Sequence, residues 1–169
     1  MRAAALILLA LAAPGEGTPV LGGDAAACTS GAGPAVLAEI VGLKDRKGEL
    51  KLELYPANER DFLRDDGDLT REGKPFRRVA APTPPAGPVA LCLRVPRPGR
   101  YAIVFTHDRD AKAGFSIWSD GAGTPASAKM GRGKPKLRNA IVDVPAGVKA
   151  VTMQAQYLRG FAGFSPSGG

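Results

Sequence analysis

The chain has 169 residues, two cysteines, one histidine and a formal net charge of +7. This length suits a single domain and is enough to bury a core, and the basic excess favours either anionic partners or plain solubility. Two cysteines and one distant histidine cannot supply the four ligands of a structural zinc site, so the composition disfavours such a site.

The first 27 residues have the layout of a secretory signal peptide. Met1 and Arg2 form a short basic start, residues 3–13 are an unbroken apolar run, and small residues follow. The run is too short to span a bilayer, and no other segment is apolar enough to do so. We therefore predict that residues 1–27 are a leader, cleaved after Ala13 or after Ala27, and that the protein is periplasmic or secreted.

Cys28 and Cys92 are the two cysteines of the chain. An even count in an exported protein predicts a disulfide, which here would tie the N-terminal segment to a later strand. Cleavage after Ala27 would instead make Cys28 the first residue and raise the alternative of lipidation. The two alternatives exclude each other.

The clearest structural signal lies in residues 49–55, where Leu50, Leu52 and Leu54 alternate with charged residues. A period of two predicts a strand with one buried face, and places Lys51 and Glu53 in water. A surface connection with one short helical turn follows at residues 58–74. Similar patterns predict strands at 36–41, 49–55, 76–79, 89–95, 101–107, 140–144 and 148–157.

About seven strands with frequent proline and glycine turns predict an all-β fold, an antiparallel β-sandwich of the immunoglobulin-like or transthyretin-like type. The absence of alternating strands and helices argues against a parallel α/β sheet. We assign residues 28–160 to this single domain. Residues 161–169, rich in glycine and serine, are predicted to be a flexible tail.

A set of short motifs occurs in a fixed order along the chain: Gly42-Leu43, Lys47-Gly48, the strand from Leu50 to Tyr55, Phe62, Pro98-Gly99-Arg100-Tyr101-Ala102-Ile103 and His107-Asp108. Together they resemble an exported bacterial family, domain of unknown function 2141, over residues 36–157. The resemblance implies export and a transthyretin-like or carboxypeptidase-regulatory-like sandwich, and it implies no established activity.

Asp108 and Asp110 stand at alternate positions, as ligands in a calcium loop do. However, Lys112 occupies the next ligand position, and no glutamate closes the loop at the distance of an EF-hand. The family stretch that this segment resembles is richer in asparagine, glycine and aspartate. We therefore predict no metal or other cofactor, and expect both aspartates to bind backbone amides in a turn.

His107 is the only histidine, so any catalytic triad would depend on it. Asp108 cannot orient it, because neighbouring side chains in a strand point to opposite faces. Ser116 follows Gly114 but lacks the second glycine of a nucleophile elbow, because Trp118 stands in its place. We predict no catalytic residue and no enzyme, with His107 a hydrogen-bonded residue at a strand end; the alternative is a metal-dependent protein or enzyme using His107, Asp108 and Asp110.

The densest basic segment is interleaved with glycine and proline rather than with aromatic residues. Base stacking is therefore not indicated, and no nucleic-acid partner is predicted. The segment is either a flexible solvated loop or a contact for an anionic component of the cell envelope. We predict a non-enzymatic binding or accessory module of the envelope, with five candidate contact residues: Lys129, Arg132, Lys134, Lys136 and Arg138.

Overall fold

A computed structural model describes residues 17–112 and 114–167 of the chain. The basic start and the apolar run of the predicted leader lie outside these residues. Within the described ranges, no helix has the length and apolar character needed to cross a membrane.

The described residues form eleven strands and three short α-helices, with a 3-10 turn at Gly160–Ala162. The helices are α1 (Ala25–Thr29), α2 (Asp66–Arg71) and α3 (Leu137–Ala140). The strands are β1 (Val20–Leu21), β2 (Ala35–Val41), β3 (Glu49–Pro56), β4 (Arg77–Pro82), β5 (Val89–Arg94), β6 (Gly99–Asp108), β7 (Gly121–Gly123), β8 (Ile141–Val144), β9 (Val148–Gln154), β10 (Gln156–Leu158) and β11 (Phe164–Pro166).

The strands form two sheets. The small sheet has the order β1-β5-β2-β9, and the large sheet has the order β11-β10-β7-β6-β3-β4, with β8 paired to the first half of β6. The prediction of a mostly β two-sheet sandwich is confirmed. Most strand pairs are antiparallel, and two pairs, β2 with β9 and β1 with β5, are parallel.

The core is a single apolar layer between the two sheets. Leu50, Leu52 and Leu54 of β3 are fully buried, as their alternation predicts. They belong to one cluster with Val36 of β2 and Leu91 of β5 from the small sheet. Burial of leucine-sized side chains at about 2 kcal/mol each is the main force that holds the sheets together.

The segment 148–157 is two strands rather than the single strand that its alternation predicts. β9 pairs with β2 in the small sheet, whereas β10 pairs with β7 in the large sheet. The backbone amide of Ala155, between them, donates to the carbonyl oxygen of Val41 at 2.9 Å. The chain therefore crosses from one sheet to the other at Ala155 without losing its inward-facing pattern.

Cys28 and Cys92 form a disulfide, with 6.0 Å between their Cα atoms. The bond joins the end of α1 to a fully buried position of β5. Because both sulfur atoms are used, lipidation of Cys28 is excluded. Closure of a loop of 64 residues stabilises the fold by about 4 kcal/mol in the chain-entropy model.

Residues just before Cys28 also pack on the domain. The carboxylate of Asp24 is nine-tenths buried, accepts hydrogen bonds from the Arg77 guanidinium, and accepts the backbone amide of Arg94 at 2.9 Å. The hydrogen bonds from Arg77 lower the pKa of Asp24, against the opposing effect of burial. Cleavage after Ala27 would remove this ion pair together with β1.

The predicted flexible tail contains ordered structure. Phe164–Pro166 form β11, which pairs with β10 at the edge of the large sheet. Phe164 is only 7 % exposed, so burial of its ring accounts for an ordered strand where composition indicates a frayed end. Residues 168–169 lie outside the described part of the chain.

Candidate functional site

The outer face of the large sheet, which points away from the core, carries the candidate site. Alternation along β3 places Lys51, Glu53 and Tyr55 on this face. The sequence predicts that Lys51 and Glu53 face water, and this is wrong. Glu53 is 9 % exposed and the Lys51 side chain 20 %, because segments far along the chain fold over the strands.

One end of this face is filled by a second apolar cluster, which we call the covered end. Its buried members are Tyr55, Leu69, Ala102, Val104 and Ala140, brought together from β3, α2, β6 and the end of α3. The rings of Phe62 and Phe76 pack edge-on against Tyr55 at centroid distances of 5.9 and 5.2 Å. The polar connection at residues 58–74 therefore covers the sheet with its few apolar side chains.

The other end is open and forms a groove of about 830 Å³. Its walls include two loops, residues 114–120 and 130–135, and its floor is formed by residues of β3, β6, β7 and β10. Phe115 and Ile117 on one wall are about half exposed. The apolar lining consists of Tyr55, Leu63, Val104, Phe115, Ile117, Ala122, Met130, Pro135, Leu158 and Phe164.

Charged side chains on the floor of the groove are mostly paired with each other. Arg78 contacts Glu53 at 2.5 Å, and the Tyr55 hydroxyl donates to the same carboxylate at 3.0 Å. Burial, together with the negative charge of Glu53, raises the pKa of Tyr55. A ligand in the groove would therefore meet neutralised pairs rather than free charges at these positions.

Lys51 is the second cation on the floor of the groove, and it contacts Asp108 at 2.6 Å and Glu49 at 2.9 Å. Burial acts to lower its pKa, but the hydrogen bonds to the two carboxylates outweigh burial and raise it. Lys51 therefore keeps its charge in the groove, and that charge is already shared between two acids.

The densest basic segment, residues 129–138, which we call the basic loop, is held over the groove rather than free in solvent. The buried side-chain amide of Gln156 accepts the backbone N–H of Met130 at 3.0 Å and donates to the carbonyl oxygen of Ala128 at 2.8 Å. Gly131 and Phe164 also form a bridge through their backbones. These contacts give the loop a defined position against β10 and β11.

The five predicted basic contacts separate into two groups. Arg132 and Lys134 line the groove, while Lys129, Lys136 and Arg138 are exposed elsewhere on the same segment. Within the described ranges, none of the five forms a salt bridge with an acid. The groove therefore has two unpaired cations at one wall.

His107 lies in the interior at the end of β6 and is fully buried. Its Nε2–H donates to the carbonyl oxygen of Lys47 at 2.7 Å, which leaves Nδ1 to accept the Tyr157 hydroxyl at 2.7 Å. The Tyr157 oxygen in turn accepts the backbone amide of Lys44 at 3.0 Å. Burial lowers the pKa of His107 and raises that of Tyr157, so the network favours neutral groups.

Three aspartates converge at the end of the groove. Asp108, Asp110 and Asp120 each offer a carboxylate oxygen within 4.8 Å of the other two. The sequence predicts that Asp108 binds backbone amides, but its carboxylate contacts Lys51 instead. Asp110 does accept the backbone amide of Lys112, at 3.3 Å.

Asp120 was missed by the sequence analysis, because its neighbours Ser119 and Gly121 show no metal-binding motif. It reaches the other two because His107 of β6 and Gly121 of β7 are register partners, which brings the ends of these antiparallel strands together. When two segments separated by a loop pair in a sheet, the sequence around each segment does not indicate its partner.

The comparisons with known proteins identify a family and no activity. The search of curated proteins and the search of solved structures each find no match to the chain. The family described as an uncharacterised protein conserved in bacteria, DUF2141, matches residues 38–152, which span most of both sheets and the whole floor of β3, β6 and β7. The chain therefore belongs to the DUF2141 family of bacterial proteins.

Proposed function

We propose that the protein is a non-enzymatic binding module of the bacterial cell envelope, and that its groove binds an anionic amphiphile. The observation that carries this proposal is an apolar groove of about 830 Å³ with two unpaired cations, Arg132 and Lys134, on one wall. A ligand with an apolar body and an anionic head group matches both features.

The size and lining of the groove support a small organic ligand. Ligand sites in proteins are typically clefts of about 300–1,000 Å³ with mostly apolar walls and few polar groups. Phe115 and Ile117 expose about half of their surface there, so a bound apolar chain would remove that area from water. Neither cation would have to leave an acidic partner to bind the head group. Arg132 uses its Nε to donate to the carbonyl oxygen of Phe161, which leaves its two terminal nitrogens for the head group.

Export from the cytoplasm rests on two features. The leader-like pattern of residues 1–27 is typical of secreted proteins, and a structural disulfide is typical of oxidising compartments. We infer a periplasmic or secreted location. Because Val20–Leu21 and Asp24 are packed on the domain, cleavage near Ala13 fits the fold better than cleavage after Ala27.

A non-enzymatic role is supported by the state of His107. Both ring nitrogens are engaged and the side chain is fully buried, so it has no access to a substrate in the groove. We infer that the groove binds its ligand without changing it.

The test is isothermal titration calorimetry with dodecanoate, kept below its micelle concentration, against the folded domain. Dodecyltrimethylammonium, which carries a cationic head on the same tail, is the matched ligand control. We expect dodecanoate to bind with a micromolar dissociation constant and the cationic analogue to bind at least about tenfold more weakly.

The protein variants separate the groove from general basicity. Arg132→Glu combined with Lys134→Glu should weaken dodecanoate binding by about tenfold or more. Lys129→Glu combined with Lys136→Glu makes the same change in net charge outside the groove and should leave binding within about twofold. Equal losses in both variants, or no binding by the unmodified protein, would contradict the proposal.

A further inference from the structure

The three aspartates at the end of the groove differ in how firmly they are held. Asp120 is 1 % exposed, and its two oxygens accept the backbone amides of Arg109 at 3.1 Å and Ser116 at 2.8 Å. Oδ1 also accepts the Ser119 hydroxyl at 3.0 Å. These hydrogen bonds fix the carboxylate, and Oδ2, which accepts one hydrogen bond, keeps a lone pair for a further partner. Asp110 is exposed and closes the cluster on the solvent side.

Asp108 provides the second observation. The residue is 2 % exposed, and its Oδ2 accepts Lys51 at 2.6 Å. Its Oδ1 is also buried, and no group in the described ranges donates a hydrogen bond to it. Buried polar atoms are nearly always satisfied, so this oxygen points to a bound ion or a water molecule.

The charges around the cluster also favour a bound cation. Lys51 is the cation that contacts Asp108, and its charge is shared with Glu49. Arg109 is directed to Asp45 and to the carbonyl oxygen of Ser119. Lys112 lies 3.3 Å from Asp110, but its side chain is 77 % exposed and can move into solvent. The three carboxylates within 4.8 Å repel one another, and the two lysines that contact Asp108 and Asp110 offset this repulsion only in part.

We propose that Asp108, Asp110 and Asp120 form a binding site for Ca²⁺. An ion bound at about 2.4 Å from each oxygen allows ligand separations of up to roughly 4.8 Å, which the cluster satisfies. All three ligands are hard oxygens, as calcium prefers, and solvent on the Asp110 side can complete six to eight ligands. The ion would bind Oδ1 of Asp108, the oxygen that Lys51 leaves free.

The site excludes softer metals by its composition. The only histidine uses both nitrogens inside the core, and both cysteines are joined in the disulfide. Zinc and copper sites draw on imidazole and thiolate ligands, which are not offered here. With three carboxylates and no bidentate glutamate, we expect an affinity in the range of extracellular calcium modules, a dissociation constant of about 0.1–1 mM.

The test is calorimetric titration with CaCl₂, without any amphiphile, so that its result is independent of the proposed groove function. Thermal unfolding with about 5 mM CaCl₂ is compared with MgCl₂ and with NaCl at equal ionic strength. We expect saturable binding of one Ca²⁺ and an unfolding temperature that rises by a few degrees with Ca²⁺ alone. Absence of both effects, or an equal rise with Mg²⁺ or NaCl, would overturn the proposal.

Two variants at exposed positions test the site in opposite directions. Asp110→Asn removes one ligand charge and should weaken Ca²⁺ binding by at least about tenfold, whereas Lys112→Gln removes the competing cation and should strengthen it about threefold. Asp143→Asn, an exposed aspartate on β8 that pairs with Arg100, is the matched control and should bind as the unmodified protein does. Affinity that is unchanged in Asp110→Asn would also overturn the assignment.

Discussion

The two ends of the outer face of the large sheet lie on the same strands but are covered differently. At the covered end, Leu69 and its neighbours pack against Tyr55 and Val104, two residues that also line the near end of the groove. At the groove end, loops form walls at the sides and leave the floor between them open. The comparison shows that one sheet face can support stability at one end and a binding surface at the other, depending on whether the covering segment supplies enough apolar side chains.

The covered end should therefore contribute more to stability than the groove. Leu69 is fully buried, and Leu69→Ala should lower the free energy of unfolding by about 3 kcal/mol. The substitution leaves a cavity, and α2 has no other large apolar side chain that could move into it. Urea denaturation measures the loss. Dodecanoate affinity of the folded variant should remain unchanged, since Leu69 does not line the groove. A loss below about 1 kcal/mol would show that the covered end is not tightly packed.

The second prediction concerns the ion pairs that hold the covering segment. Asp61 accepts Lys74 at 2.6 Å and Arg64 at 3.0 Å, and chiefly the Lys74 contact lowers its pKa. Hydrogen bonds from Arg64 and Lys74 also lower the pKa of Glu72, to about 2. A carboxyl with a depressed pKa in the folded state stabilises the fold above its unfolded pKa, near 4, and that stability is lost as the pH falls toward the folded value.

We therefore expect the free energy of unfolding to fall between about pH 5 and pH 2, and to fall less steeply in Asp61→Asn. Urea denaturation at a series of pH values measures the slope. Asp68→Asn, the same change on the exposed surface of α2, should leave the slope as it is in the unmodified protein. A slope unaffected by Asp61→Asn would mean that this carboxylate does not hold the segment.

The smallest change in stability is expected at the groove wall. Ile117 is 49 % exposed, so Ile117→Ser should change the free energy of unfolding by less than about 0.5 kcal/mol. Dodecanoate binding should nevertheless weaken about fivefold, because the exposed half of the side chain would be buried by the ligand. Val41→Ser, at a side chain of similar exposure outside the groove, is the control and should affect neither quantity.

The comparison of the two ends also shows where sequence reasoning succeeds. Leu50, Leu52 and Leu54 alternate because one face of β3 is buried, and a period of two can be recognised within seven residues. The disulfide could be predicted because the chain has only two cysteines and a leader-like start. His107 was expected to be a hydrogen-bonded strand-end residue, but its partners, Tyr157 and the carbonyl of Lys47, could not be named.

The site itself could be predicted only in fragments. The sequence does not separate Arg132 and Lys134 from the three other basic candidates. These two line the groove because the side chain of Gln156, far along the chain, fixes the loop by hydrogen bonds. Asp108 and Asp110 were identified as weak metal candidates, but Asp120 was not. Its contribution depends on the pairing of β6 with β7.

Local alternation of apolar and polar residues is enough to establish a β-sandwich, its main strands and the inward face of each, because burial on one side of a strand repeats every second residue. Composition is likewise enough to establish the disulfide partners and the basic character of the chain. Which parts of the outer face are covered, and which acids and cations meet there, depends on loops and strand partners far apart in sequence. Such contacts are decided by packing in three dimensions, so the groove and the aspartate cluster are properties of the folded chain alone.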